Sequence, residues 1–369
     1  MTILGTANGQ RLTGTTNDDI FDNGGFLVRI NALAGNDEIN LTNTNYPANT
    51  RRFSYVDAGE GNDVVNGSEN RDVVYGGSGN DLIIGNGGND TLRSGTSDSA
   101  GASISYNGTN FVGDIIDGGT GDDAIFVRDG GLALVFGGDD NDRIYFQNSA
   151  NGNIADAGSG NDQVYGSRGN DILAGGDGED IIRGKSGDDE LNGDAGDDDI
   201  RGGFGDDKIS GGDGADKLYG NLGNDELNGD DGDDLIYAGS GDDIIDGGVG
   251  NDSIFGGSGN DIIKGGDGDD NIRASSGNDN ISGGLGNDIL EGGGGNDIFT
   301  FDFTASGEKD IIKGFRNGDK IALNSGIDFS DLVIVKTGSI SEITLPDGQI
   351  IEVNTTSNFT FDADDFTTI

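Results

Sequence analysis

Carboxylates are the one plentiful reactive group in this chain, and they are set at a fixed step. Asp162 is followed by Asp171, Asp180, Asp189, Asp198, Asp207, Asp216, Asp225, Asp234, Asp243, Asp252, Asp261, Asp270, Asp279, Asp288 and Asp297, each nine residues on without a slip. A Gly stands two residues before every one, from Gly160 to Gly295, and a large apolar residue two after, from Val164 to Phe299. The unit is G-G-x-G-[N/D]-D-x-U-x, with U apolar. Asp63, Asp72, Asp81 and Asp90 form an earlier block, and Asp123 and Asp142 continue the pattern between the two. Such a series suits a hard cation, since calcium takes six to eight oxygens from carboxylates and backbone carbonyls. There is no His and no Cys. That removes thiolate metal sites, the H-E-x-x-H zinc motif and the Ser-His-Asp triad. Glycosidases work with carboxylates alone, but here carboxylates recur too regularly to single out a pair. No catalysis is expected.

The elements that hold these carboxylates follow from the nine-residue phase. The first six positions are dense in Gly, Asn and Asp, which supply the left-handed conformations of tight turns. The last three, such as Ile244-Ile245-Asp246, suit a short strand. Neighbours in a strand point to opposite faces. Position eight is apolar in all sixteen copies, whereas positions seven and nine include Glu190, Lys208, Asn228 and Arg273. Position eight therefore faces inward. One turn and one strand reverse the chain halfway, so two nonapeptides make a coil of 18 residues, and stacked coils make two parallel sheets around a thin core. A coil buries two large apolar residues, worth roughly 3–6 kcal/mol. Ordering its backbone costs about 1–2 kcal/mol per residue, so apolar burial alone does not hold the fold. Aspartates one coil apart lie about 4.8 Å from each other by strand spacing, and repel unless a cation sits between them. Metal binding is then folding free energy.

The Asp+Glu count is 68 against 21 Lys+Arg, a net charge of −47. Such a field attracts divalent cations and repels nucleic acid and anionic lipid, so no nucleic-acid partner is expected. No apolar run is long enough for a membrane span, and no membrane insertion is expected. The start of the chain lacks the basic and apolar regions of a secretory signal.

Five segments are expected. Residues 1–57 carry the rhythm in blurred form, with Asp18 and Asp37 each two before an Ile, calcium turns on one side only, and an insertion near 43–50. Residues 58–93 are the first repeat block. Residues 94–156 are degenerate coils with insertions, including a long loop over 94–113, and Asp114 falls among them. Residues 157–300 are the main block of sixteen nonapeptides. Residues 301–369 form a β-rich cap, in which Pro346-Asp347-Gly348 turns a hairpin.

The repeats resemble the RTX, or haemolysin-type calcium-binding, family over about four-fifths of the chain. The resemblance implies an all-β fold, a right-handed parallel β-roll in which the Asp of each repeat ligates Ca²⁺ between stacked turns. Pairing each repeat with the one two steps on implies fourteen sites in the main block and two in the first. The segment from Asn296 through Leu323 looks like the C-terminal region of such proteins, which leave the bacterial cell by type I secretion on an uncleaved C-terminal signal. The implied partners are calcium ions and that machinery. The implied place is outside the cell, where extracellular calcium modules typically have Kd of about 10⁻⁴–10⁻³ M. Family toxins, proteases and lipases carry a catalytic portion ahead of the repeats. Here the repeats begin close to Met1, and a structural role at a cell surface or in a matrix is expected, with self-association through shared Ca²⁺. The alternative is a calcium-dependent polysaccharide-binding or adhesion module, on the strength of Tyr165, Tyr219, Tyr237 and Phe255, which stand at position nine. An ice-binding Thr row is not expected, because Gly119-Thr120-Gly121 occurs once.

Overall fold

The computed structural model describes residues 1–5, 10–23, 28–42, 53–95, 104–106, 109–111, 113–128, 132–147, 149–301, 308–323, 327–346, 348–355 and 359–368. The insertion near 43–50, most of the loop at 94–113 and Asp347 lie outside them. The chain is an all-β parallel solenoid with a mixed sheet toward its C-terminal end. It divides into two compact units, Met1–Asn192 and Gly193–Ile369. Among the described residues the only helical turns are two of 3-10 type, at Phe329–Asp331 and Ala363–Asp365. No helix is long and apolar enough to cross a membrane.

In the first unit, Ile154–Ser159 pairs in parallel with Ala133–Asp139 on one side and Ile172–Asp177 on the other. On the opposite sheet Arg143–Gln147 pairs with Ala124–Arg128 and Gln163–Tyr165. In the second unit Ile244–Val249 pairs with Glu226–Asp231 and Ile262–Asp267. Across from it, Leu235–Ser240 pairs with Lys217–Leu222 and Ser253–Ser258. The register Ile244↔Ile262 and Leu235↔Ser253 is the 18-residue coil of the sequence. Position eight fills the core: every such residue from Val164 to Phe299 is buried.

From Ile172 to Gly294 the strands are six residues long rather than three. Ile244–Val249 runs on through Gly247, Gly248 and Val249, the first three positions of the next repeat, and Gly248 still pairs with Gly266. Gly248 has φ +106°, and non-glycine residues at the same place, such as Asp230 at +68°, also adopt left-handed backbone. The sheet bends there without ending, so the turn proper is only the Gly-Asn/Asp-Asp of positions four to six.

Near the start of the chain the phase is off by one. Asp19, not Asp18, is buried, with Phe21 two residues on in the core, and Ile20–Asp22 pairs with Glu38–Asn40. The step from Asp19 to Asp37 is then one whole coil of 18. Ile20, which drew the phase to Asp18, is exposed. Ala133–Asp139 and Ile154–Ser159 fill the sheet opposite Asp123 and Asp142. Ile104–Tyr106 is a strand, paired antiparallel with Thr109–Phe111.

Parallel pairing continues past residue 300. Lys309–Lys313 adds to Ile289–Gly294, and Lys320–Leu323 to Ile298–Phe301. Ile350–Asn354 joins Lys309–Lys313 in parallel, and then pairs antiparallel with Ile340–Thr344 in the hairpin that the Pro-Asp-Gly turn predicts. Val333–Thr337 pairs antiparallel with Ile340–Thr344 in turn.

Candidate metal ladders

Every Asp of the repeat series is buried. One sequence series becomes two ladders, because successive nonapeptides turn on opposite sides of the coil. In the second unit the Asp216 carboxylate accepts the Asp198 N–H through Oδ1 at 2.7 Å, and Asp234 accepts that of Asp216 at 2.8 Å. The same bond repeats through Asp252, Asp270 and Asp288. The facing ladder runs from Asp207 through Asp225, Asp243, Asp261 and Asp279 to Asp297. In the first unit one ladder joins Asp72, Asp90, Asp123, Asp142, Asp162 and Asp180. The other joins Asp19, Asp37, Asp63, Asp81 and Asp114, and a later stretch joins Asn153, Asp171 and Asp189.

Two carboxylates beyond the repeats complete the second unit. Asp310 accepts the Asp288 N–H at 3.0 Å, and Asp319 that of Asp297 at 3.2 Å. They follow after 22 residues instead of 18, which hides them from a nine-residue count. Their signal is the retained Asp-x-U: Ile312 and Ile321 stand two residues on and are buried. Near the start of the chain the turns are one-sided. Asp19, Asp37 and Asp63 share one ladder, while Gln10, Val28 and Ser54 occupy the matching places on the other sheet.

The second carboxylate oxygen decides what these turns can hold. Oδ2 of Asp63, Asp81, Asp90, Asp123, Asp142 and Asp162 is buried without a hydrogen-bond partner. The same is true from Asp216 through Asp297 at every nine-residue step. A buried ionised oxygen with no partner costs far more than a neutral one. Burial accordingly pushes these carboxyls up: Asp63 to about 6, Asp234 to about 7, Asp81 and Asp270 to about 8, with neighbouring carboxylates adding to the rise. Around the orphan oxygen the first Gly of the repeat keeps space open. A Cβ on Gly265 would run into both Asp270 Oδ2 and the Gly283 carbonyl oxygen of the following coil. Among the described residues no three acidic side chains converge on one point. A cation here therefore takes carboxylate oxygens from stacked turns and completes its shell with backbone carbonyls, as calcium does.

Asp72, Asp171 and Asp19 stand in the ladders but differ at Oδ2. Ser68 donates to Asp72 Oδ2 through its N–H at 2.9 Å and its hydroxyl at 3.0 Å. Ser167 does the same for Asp171, and Thr15 for Asp19. The Thr15 N–H, against the penalty of burial, holds the Asp19 carboxyl below the usual range.

Position five builds a second, exposed ladder of opposite sense. The Asn260 N–H donates to Asp242 Oδ1 at 2.7 Å, and the Asn278 N–H to Asn260 Oδ1 at 3.0 Å. Here the later coil donates to the earlier one, whereas at position six the earlier donates to the later. Each turn is thus hydrogen-bonded to both neighbours by side chains, which is why Asn and Asp alternate freely at position five.

The position-nine aromatics are ordered as well. Tyr219, Tyr237 and Phe255 stack with centroids 5.3 and 4.6 Å apart and planes within 8°. Tyr165 stacks on Tyr145 at 4.9 Å. Their ring faces are turned on one another.

A parallel solenoid with buried, stacked aspartates and glycine-kept space defines a class of repeat protein built around divalent cations. The chain belongs to the RTX calcium-binding nonapeptide repeat family, whose model matches residues 57–92, 149–182, 156–191, 174–209, 192–227, 228–263 and 264–299. It is a calcium-binding β-roll protein. No curated protein matches it. Among solved structures, the extracellular lipase LipA from Serratia marcescens is similar at 19% identity over 58% of this chain and 40% of the lipase, with a TM-score of 0.24. A hyperactive, Ca²⁺-dependent, β-helical antifreeze protein from an Antarctic bacterium is similar at 21% identity over 82% of this chain and 85% of that one, with a TM-score of 0.23. The chain spans less than half of the lipase's length.

Proposed function

We propose that this is a secreted structural protein which folds when calcium enters its aspartate ladders outside the cell, and which serves a bacterial surface or matrix. The observation that supports it most is the orphaned, buried Oδ2 repeated from Asp216 to Asp297 beside glycine-kept space. Without a divalent cation each such oxygen opposes the coil, and with one it joins two coils. A chain of this kind stays open where calcium is scarce and closes where it is millimolar. That behaviour suits export by type I secretion machinery, with residues 301–369 as the region holding the signal. The role is non-catalytic, since regular ligand carboxylates leave no acid–base pair set apart. Exposed position-five Asn and Asp give copies of the protein a means of associating through shared Ca²⁺. Circular dichroism of chelated protein tests the reading. Added calcium is expected to raise the β signal in a cooperative step near millimolar concentration, and a spectrum that calcium leaves unchanged would overturn it.

A further inference from the structure

The two sheets of the first unit differ in charge. On the sheet that runs through Ile20–Asp22, Asp114–Thr120 and Ile154–Ser159, no strand up to Ile172–Asp177 contains a Lys or Arg. The strands of the opposite sheet carry Arg11, Arg29, Arg93, Arg128, Arg143 and Arg183. In a chain with 21 basic residues and a net charge of −47, that concentration on one sheet is a strong local reversal.

The basic residues are combined with rings. Tyr75, Arg93, Phe126, Tyr145 and Tyr165 fall in one register on five successive coils. The Arg93 guanidinium lies over Tyr75 at 5.2 Å and over Phe126 at 5.0 Å. Phe126 stacks on Tyr145 at 5.2 Å and Tyr145 on Tyr165 at 4.9 Å. Arg29 lies over Tyr55 at 5.2 Å, beside a recess of about 200 Å³ that Arg11 and Asp57 also line. Among the described residues no carboxylate lies within ion-pair distance of Arg29, Arg93, Arg128 or Arg143.

An aromatic ring is negative on its faces and positive at its edge. Here the negative faces are covered by one another and by guanidinium, so positive edges and unpaired Arg forks are what remain. Neutral sugars stack on open ring faces, and bases do the same; this row offers few. Carboxylates and sulfates match both the Arg fork and the ring edges. Acidic groups flank the row, Asp57 on the coil before Tyr75 and the turn that ends at Asp142 just before Arg143, and salt screens the acidic turns more than about 10 Å away.

We propose that the outward face of this sheet binds a linear anionic polysaccharide laid across the strands, one basic or aromatic row per coil. The polymer's acidic groups pair with Arg11, Arg29, Arg93, Arg128 and Arg143. Tyr145 and Tyr165 hold the row rigid. The second unit carries a shorter version, Tyr219-Tyr237-Phe255 between Arg201 and Arg273 on successive coils.

The test uses the full chain at saturating calcium, with far-ultraviolet circular dichroism to confirm the fold. Binding is measured in 0.1 M salt to immobilised polygalacturonate, dextran sulfate, neutral dextran and oligo(dT). Binding to polygalacturonate, dextran sulfate or both is expected, with none to neutral dextran and at least tenfold weaker binding to oligo(dT). Arg128→Glu with Arg143→Glu, both exposed, is expected to weaken glycan binding at least tenfold at unchanged dichroism. Arg11→Glu serves if that pair disturbs the fold. Folded protein that binds neither acidic glycan would overturn the proposal. So would oligo(dT) bound as tightly, or binding that survives both Arg variants, which would assign it to calcium bridges from the acidic turns.

Discussion

The Ser167 hydroxyl lies 3.1 Å from Asp171 Oδ2, and the Ser167 N–H donates to the same oxygen at 2.6 Å. This is the oxygen that has no partner in Asp162 or Asp216. A side chain does in this turn what a cation does in its neighbours. Ser167→Ala is expected to cost about 1.5–3 kcal/mol, the range for a hydrogen bond to a charged group, without changing the number of calcium ions bound. Denaturant unfolding at saturating calcium and equilibrium dialysis read the two quantities. Loss of a calcium ion from the variant would place metal in this turn after all.

Gly232 and Gly294 separate backbone strain from mere substitution. Gly232 sits at position four with φ +153°, and a Cβ there would land on the Gly214 carbonyl oxygen of the preceding coil. Gly294 lies in ordinary backbone, with its nearest neighbour, the Ser275 carbonyl oxygen, 3.7 Å from an added Cβ. Gly232→Ala is therefore expected to raise the calcium needed for half-folding at least severalfold. Gly294→Ala is expected to stay within about 0.5 kcal/mol of the parent, as for surface changes away from special features. Calcium titrations followed by circular dichroism make the comparison, and equal midpoints would contradict it.

Much of this architecture is legible in the sequence because the repeat is chemically redundant. Position eight can only face inward, and the register of 18 follows from two turns per coil. The departures occur where one residue changes meaning with its surroundings. Ile20 is as apolar as Phe21, and only packing shows which is buried, so the first rung is Asp19. Asp310 and Asp319 keep Asp-x-U but sit 22 residues on, and only the strand pairing of Lys309–Lys313 and Lys320–Leu323 returns them to the ladders. Ser68 and Ser167 look like lapses of the Gly pattern. Their role appears only when the hydroxyl is seen on Oδ2. The aromatics at position nine are visible in sequence, but their stacking depends on falling in one sheet on successive coils.

Asn260 and Asp261 are adjacent and serve opposite ladders. Asn260 receives the Asn278 N–H and donates to Asp242, all at the surface. Asp261 receives the Asp243 N–H at 3.1 Å and turns an orphan Oδ2 inward. Asn260→Ala is expected to lose about 0.5–1.5 kcal/mol with calcium stoichiometry intact. Asp261→Asn keeps the Oδ1 acceptor but replaces the second oxygen with an NH₂ group, so one or two calcium ions should be lost. Dialysis that finds the same number of ions in Asp261→Asn and the parent would show that this oxygen is not a ligand.

Protons and calcium compete for the same oxygens. In the metal-free coil burial raises Asp63, Asp225 and Asp279 to about 6, Asp162 and Asp243 to about 7, and Asp142 and Asp270 to about 8. An unfolded Asp titrates near 3.9. A group raised on folding contributes stability that is full below the unfolded value and is lost as pH climbs through the folded one. The calcium-free coil should therefore be least unstable near pH 4 and lose ground steadily to about pH 8. In the open chain these carboxyls are already ionised at pH 6.5, so calcium that folds the chain finds its ligands deprotonated and releases few protons. The apparent affinity is expected to change little from pH 6 to pH 8 and to fall as pH drops through about 4, and a weakly buffered calcium titration at pH 6.5 with an indicator dye should show little released acid. Release of protons on calcium uptake at pH 6.5 would mean that the metal-free chain already holds the buried coil with protonated carboxyls, against folding on calcium.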